Sequence, residues 1–125
     1  MNKIQGLSRV GALASIAISF VVGASLASAH AKLTSTTPVA DSTVSSPKLI
    51  QVHFNEAVEV KMSSLKLATV DGTAVAAMAM NDAKDPATLS IMPNTPLKAG
   101  TYKVTWSAVT DDGHKVQGSF SFAVQ

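Results

Sequence analysis

The stretch TYKVTWSA, residues 101–108, decides how this chain folds. Its apolar side chains recur at every second position, which places Tyr102, Val104, Trp106 and Ala108 on one face. Such alternation is typical of a β-strand that buries one of its faces. We therefore predict a strand from Thr101 to Ala108 with Trp106 in the core.

The rest of the chain repeats this pattern on a smaller scale. Asp71-Gly72 predicts a hairpin turn, and no segment of helical period stands out after residue 30. The segment LKAGTY, residues 97–102, is similar to the turn and tyrosine that begin a late strand in immunoglobulin-like sandwiches. About seven strands in all predict a single all-β, Greek-key, immunoglobulin-like sandwich. The further strands are expected at Ala31 to Thr36, Leu49 to Phe54, Ser63 to Val70, Thr73 to Met80, Thr88 to Met92 and Val116 to Val124.

Residues 1–29 have the composition of a secretory signal peptide. Lys3 and Arg9 precede an uncharged, mostly apolar stretch, and Ala27-Ser28-Ala29 forms a small-residue cleavage site. A retained transmembrane anchor is the alternative, because no charge occurs between Arg9 and Lys32. Several glycines and serines make that span weak. We predict a cleaved signal at 1–29, an exported domain at 30–125, and a monomer.

Cleavage changes the charge of the protein. It leaves 125 − 29 = 96 residues with eight Lys+Arg and eight Asp+Glu, so the formal net charge is 8 − 8 = 0. A neutral domain gives no general reason to expect binding to nucleic acid or to an anionic membrane. The chain contains no cysteine, which excludes disulfides, thiolate metal sites and a thiol nucleophile.

His30 follows the cleavage site and would become the first residue of the mature protein. The α-amine and the imidazole Nδ1 of an N-terminal histidine can bind one metal ion and close a chelate ring. The alternative is a polar residue that stands beside the cleavage site by accident.

Asp112 and His114 provide a second pair of donors. Residues two apart share one face of a strand, and in a tight turn their side chains can also converge. A solvated loop is the alternative, since Asp112-Gly113 is an ordinary turn dipeptide. With His30 they supply an amine, two imidazoles and a carboxylate, a set that suits a tetragonal Cu(II) site, one ion per chain. Nickel remains chemically possible.

The other candidate donors are less specific. His53 is out of phase with the apolar residues beside it and is interpreted as a solvent-face residue. Glu56 could orient a metal-bound histidine or simply be a surface charge at a strand end. Met78-Ala79-Met80 is more typical of core filling than of a Cu(I) site. The methionines after residue 30 are Met62, Met78, Met80 and Met92.

The order and spacing of these segments resemble the CopC family of periplasmic copper-binding proteins over nearly all of the mature chain. The matching segments are HAKL at 30–33, STTP at 35–38, VHFNE at 52–56, PNTPLKAGTYKVTW at 93–106 and DGH at 112–114.

The resemblance implies a cupredoxin-like, immunoglobulin-like sandwich that binds Cu(II) tightly. The family's ligands correspond to His30 through its amine and ring, to Asp112 and to His114, and a family glutamate near the site corresponds to Glu56. Some members also have a Cu(I) site in a Met-rich loop. Residues 66–80 lack repeated Met-x-x-Met and a histidine, so the chain is similar to the Cu(II)-only type.

The expected function is that of a periplasmic copper carrier or buffer in copper homeostasis or resistance, without catalysis. By resemblance it would deliver copper to a CopD-type inner-membrane protein. One alternative is a copper enzyme of the histidine-brace type, which the short chain and its single Trp and single Tyr disfavour. The other is a structural immunoglobulin-like domain that binds no metal.

Overall fold

The structure is a computed structural model that describes residues 31–125. The predicted signal peptide and His30 lie outside the described residues. Across residues 31–125, no helix is long and apolar enough to span a membrane. The elements are β1 (Leu33–Thr37), β2 (Thr43–Val44), β3 (Ile50–Phe54), a 3₁₀ turn (Val60–Met62), β4 (Ser64–Thr69), β5 (Ala74–Val75), β6 (Ala77–Ala79), β7 (Thr88–Pro93), β8 (Gly100–Val109) and β9 (Lys115–Val124).

The strands form two sheets that pack face to face. One has four strands in the order β1-β3-β7-β6, and the other has five in the order β2-β9-β8-β4-β5. Every pairing is antiparallel except that of the short β2 with β9. Alternate side chains of β3, β8 and β9 enter the shared core. The all-β sandwich predicted from the sequence is confirmed.

The segment from Thr73 to Met80 is not the single strand that its pattern predicted. Its first part, β5, pairs with β4 in the five-stranded sheet, whereas its second part, β6, pairs with β7 in the four-stranded sheet. The chain therefore crosses between the sheets at Ala76. Alternation reports which side chains share a face but not which sheet a strand joins, so it could not reveal the crossing.

The same segment corrects the interpretation of the methionines. Met78 is 57% exposed and Met80 is 45% exposed, so neither fills the core. Met78 lies opposite Met92, which is also exposed, in the pairing of β6 with β7. Each strand of a two-sheet sandwich has one face towards the other sheet and one face outward, and Met78 lies on the outward face of β6.

The hairpin of β8 and β9 is the largest element of the fold. Ten residue pairs run without a bulge from Gly100 opposite Val124 to Val109 opposite Lys115. At its start, the Tyr102 hydroxyl donates a hydrogen bond of 2.7 Å to the backbone oxygen of Lys98. This tyrosine corner matches the immunoglobulin-like feature expected from the sequence.

Trp106 joins the two sheets from the middle of β8. It is 8% exposed, as expected of a core residue, and its ring meets Phe54 of the opposite sheet edge to face, with centroids 5.2 Å apart. Within its own sheet, the indole lies over Gly118, the residue paired with Trp106 on β9. A Cβ atom at Gly118 would lie 2.6 Å from Cζ2 of the indole, closer than real contacts allow. The glycine is therefore required by the tryptophan.

We expect Gly118→Ala to lower the free energy of unfolding by about 1–3 kcal/mol, because the added methyl group overpacks the indole. Denaturant unfolding monitored by circular dichroism measures this loss. The neighbouring exposed position supplies the control Ser119→Ala, which should change stability by less than about 0.5 kcal/mol.

A double-mutant cycle tests the cause. The penalty of Gly118→Ala should shrink in a Trp106→Phe background, where the smaller ring leaves room for the methyl group. An equal penalty in both backgrounds would show that Trp106 is not the reason for the glycine.

Candidate metal centre

The turn from Thr110 to His114 connects β8 to β9 and carries two of the predicted donors. Its backbone is closed by two hydrogen bonds of 2.9 Å, from Thr110 N–H to the His114 oxygen and from Gly113 N–H to the Thr110 oxygen. Gly113 has a φ of 83°, in the left-handed region that favours glycine. The sequence therefore folds here into a tight turn at the end of the long hairpin.

The turn brings Asp112 and His114 together. Asp112 Oδ2 lies 2.8 Å from His114 Nδ1, and the two side chains are 50% and 57% exposed. The other oxygen, Oδ1, accepts a hydrogen bond from the Thr110 hydroxyl and a longer one of 3.4 Å from the His114 N–H. Convergence in a turn, rather than strand alternation, produces this pair.

The charge of Asp112 follows from these contacts. The hydrogen bond from the Thr110 hydroxyl, and after it the contact with His114, lowers the pKa of the Asp112 carboxyl from 3.8 to about 2. Both contacts favour the ionised form, because hydrogen bonds donated to a carboxylate stabilise its negative charge. Asp112 is thus an anion at neutral pH and offers only acceptor lone pairs.

Glu56 lies at the same end of the sandwich. It lines a shallow cleft together with Ala57 and with three residues of the turn, Thr110, Asp111 and Asp112. The structure therefore brings Glu56 to the cleft that holds the Asp112 side chain. This position is compatible with either of its sequence interpretations, an outer carboxylate of a metal site or a surface charge.

The chain enters the sandwich beside this cleft. The Lys32 N–H donates a hydrogen bond of 2.7 Å to Asn55 Oδ1, and the Asn55 N–H returns one of 2.9 Å to the Lys32 oxygen. Ala31 is buried, 5% exposed. Because Asn55 precedes Glu56, these bonds attach the beginning of the described chain to the end of the sandwich that carries the turn.

Within residues 31–125, no cluster of three or more His, Cys, Asp or Glu side chains could hold a metal ion. The described part of the chain brings together two of the three predicted donors, Asp112 and His114, and the third lies outside it. His30 is the candidate donor that the sequence places there.

His53 has a structural partner on the outer face of its sheet. The Thr88 hydroxyl donates its one proton to Asp85 Oδ2 at 2.7 Å, so His53 Nδ1–H must donate to the Thr88 oxygen at 2.9 Å. The outward direction predicted for His53 is correct, but the ring is half-buried rather than free in solvent.

Thr110 is the residue of this centre that the sequence reasoning missed. It is 3% exposed, and its hydroxyl contacts both Asp112 Oδ1 and, at 3.2 Å, the His114 oxygen. The alternation of apolar and polar residues along β8 does not distinguish Thr110 from the other strand residues. The available signal was the pattern Thr-x-Asp-Gly, which occurs at 69–72 and again at 110–113.

Comparison with known proteins identifies the family. The model of the CopC domain matches residues 33–125. Copper resistance protein C of Pseudomonas syringae pv. tomato is 39% identical over 125 residues, which cover 95% of this chain and 98% of that protein. Copper resistance protein C of Escherichia coli is 42% identical over 108 residues, which cover 79% and 84%.

Solved structures agree with this assignment. The crystal structure of PcoC, a methionine rich copper resistance protein from Escherichia coli, superposes with a TM-score of 0.70 at 41% identity and covers 78% of this chain and 100% of that one. The chain belongs to the CopC family, a family of copper resistance proteins and not of enzymes.

The titration of Asp112 tests the geometry of the turn. In the metal-free protein its carboxyl should stay ionised as the pH falls to about 3, since its pKa is lowered to about 2. A group with a lowered folded-state pKa contributes stability above its unfolded pKa of about 3.9 and loses that contribution as the pH falls further. Carboxyl carbon chemical shifts measured by NMR report this titration. A midpoint near 3.9 for Asp112 would contradict the hydrogen bonds described.

Proposed function

We propose that this member of the CopC family is a periplasmic copper carrier that binds one Cu(II) per chain through His30, Asp112 and His114. The observation that carries the proposal is the pairing of Asp112 Oδ2 with His114 Nδ1 at 2.8 Å on a half-exposed turn. An anion and an imidazole are thus held side by side, where a cation from solvent can reach both.

The separation of the two atoms fits copper coordination. Metal bonds to nitrogen and carboxylate oxygen are about 2.0 Å long, and two such bonds at the right angle of a tetragonal site place their donors about 2.8 Å apart. The Asp112 and His114 donors have this separation before any metal binds. Because Nδ1–H now points along the line to Oδ2, the imidazole would have to turn by roughly 45° to direct its lone pair at an ion bound to both atoms, and the ion would take the place of the shared proton.

His30 would complete the donor set. Lys32 is held to Asn55 by two hydrogen bonds, one to the Asn55 side-chain oxygen and one from the Asn55 N–H, and two residues of chain span at most about 7 Å. An N-terminal His30 could therefore reach only the neighbourhood of this end of the sandwich. Its amine and ring nitrogen, with one carboxylate and one further imidazole, give four donors, which suits Cu(II) in a tetragonal site.

A carrier fits this site better than an oxidative enzyme does. Asp112 would occupy a coordination position that oxygen needs, and ligands that are half-exposed allow an incoming partner to exchange with them. We propose, from the resemblance, that the partner is a CopD-type inner-membrane protein that accepts the copper. Export through a cleaved signal at residues 1–29 places the carrier in the periplasm.

Calorimetric titration of the protein purified from the periplasm should show one Cu(II) per chain. His30→Ala, Asp112→Asn and His114→Ala should each weaken binding by more than the tenfold to hundredfold that is typical of changes outside the ligand set. An extra residue before His30 should weaken it as much, because the chelating amine becomes an amide.

His53→Gln is the matched control, since its imidazole already bonds to Thr88. It should bind copper as the wild type does. Unchanged affinity in the His30 variant and in the extended protein would contradict the proposed site.

Affinity should also depend on pH. Imidazole and amine ligands bind copper deprotonated, with ordinary pKa values of about 6.5 and about 7.7–8.0, so protons compete and affinity should fall as the pH drops from 8 to 5. Asp112 adds nothing to this slope, because its pKa is lowered to about 2. Competition titrations against a chelator of known pH dependence measure the slope. A constant affinity between pH 5 and 8 would exclude imidazole ligation.

A further inference from the structure

The chain builds the same five-residue turn twice. Residues 69–73 (TVDGT) connect β4 to β5, and residues 110–114 (TDDGH) connect β8 to β9. In both, the threonine N–H donates to the backbone oxygen of the fifth residue at 2.9 Å, and the glycine N–H donates to the threonine oxygen at 2.9 Å. Gly72 and Gly113 have φ values of 92° and 83°. The two turns therefore share one backbone conformation.

The side chains repeat as well. Thr69 donates its hydroxyl to Asp71 Oδ1, as Thr110 does to Asp112 Oδ1. The N–H of the fifth residue also approaches the same oxygen, at 3.1 Å in the first turn and 3.4 Å in the second. Asp71 takes this position with no histidine beside it, and the Thr73 side chain also hydrogen-bonds to its carboxylate. The turn and its threonine therefore orient the carboxylate with either a threonine or a histidine at the fifth position.

The two turns differ in their surroundings. Thr69 is half-buried, and the fifth residue of its turn is Thr73. Thr110 is 3% exposed, and the fifth residue of its turn is His114. Thr110 also forms an isolated antiparallel bridge with Val58. Its backbone is thereby paired on two sides, by the hairpin and by the neighbouring segment, and its hydroxyl is buried between them.

We propose that Thr110 is the positioning residue of the copper site: its hydroxyl holds Asp112 by Oδ1 and leaves Oδ2 directed at His114, so half of the site is assembled before copper arrives. The copper part of this inference rests on the proposed function. The positioning part concerns the metal-free protein and stands by itself.

The physical benefit is preorganisation. A free aspartate side chain must lose rotamer freedom when it binds a metal, and a carboxylate already held by a buried hydroxyl has lost it on folding. Removal of a hydrogen bond that a neighbouring residue donates to a metal-binding carboxylate typically changes metal affinity by 10–100-fold.

The test compares two threonines that make the same bond. Thr110→Val removes the hydroxyl but keeps the shape, and Thr110→Ser keeps the hydroxyl. Thr69→Val removes the equivalent hydrogen bond from the turn without a histidine. All three are made in the full-length chain, expressed in a bacterium and purified from the periplasm, with Trp106 fluorescence as a check of folding. If Thr110→Val does not fold, Thr110→Ala replaces it.

We expect Thr110→Val to weaken Cu(II) binding by about 10–100-fold and to change the electron paramagnetic resonance spectrum of the bound ion. Thr110→Ser should retain wild-type affinity and spectrum, and so should Thr69→Val. Wild-type binding and spectrum in Thr110→Val would overturn the proposal, and so would an equal loss in Thr110→Ser, which would assign the effect to shape.

A measurement without copper separates this proposal from the proposed function. In the metal-free wild type, the ¹⁵N shifts of the His114 ring should report Nδ1 hydrogen-bonded to Asp112, and Thr110→Val should move them. Unchanged shifts in Thr110→Val would overturn the positioning role whether or not copper binds. Failure of the wild type to bind Cu(II), with shifts that do move, would overturn the proposed function alone.

Discussion

The unbroken pairing of β8 with β9 is the constraint on which the rest of the structure depends. Ten residue pairs in one register fix both ends of the hairpin, so the connection from Val109 to Lys115 must close in five residues. Thr110 and His114 remain hydrogen-bonded, so the three residues between them turn the chain, and a three-residue hairpin loop typically ends in a residue of positive φ, here Gly113. The same register aligns the buried face of β8 against the other sheet. The core and the candidate metal centre thus derive from one hairpin.

Packing of Trp106 connects this hairpin to the opposite sheet. The indole fills the space between Phe54 in the opposite sheet and Gly118 in its own, and no side chain larger than hydrogen fits at the latter position. Phe54 is followed by Asn55, which holds the entering chain at Lys32. One aromatic contact therefore connects the hairpin to the strand that positions the start of the described chain. A site assembled from both segments would inherit its geometry from this contact.

Much of this could be predicted from the sequence, because a buried strand records its inward face in every second residue. That rule located β8 and β9 and placed Trp106 in the core. It failed at Ala76, where the chain changes sheets, because the alternation of apolar and polar residues contains no information about strand partners. It also failed at Met78, which is apolar but exposed. The spacing of Asp112 and His114 predicted their proximity. The role of Thr110 was hidden, because a hydrogen bond within a turn leaves no periodic trace.

The described residues present an anion and an imidazole as half of a site, and the proposed other half is created only by removal of residues 1–29. The proposed division would make copper binding dependent on export, as suits the proposed periplasmic carrier. The most direct test is a crystal structure of the copper-loaded protein from the periplasm, with the ion located by anomalous diffraction at the copper edge. The account predicts one copper bonded to Asp112, His114 and the amine and ring of His30. Copper found instead at His53 or at the exposed methionines, with the turn at 110–114 unligated, would contradict it.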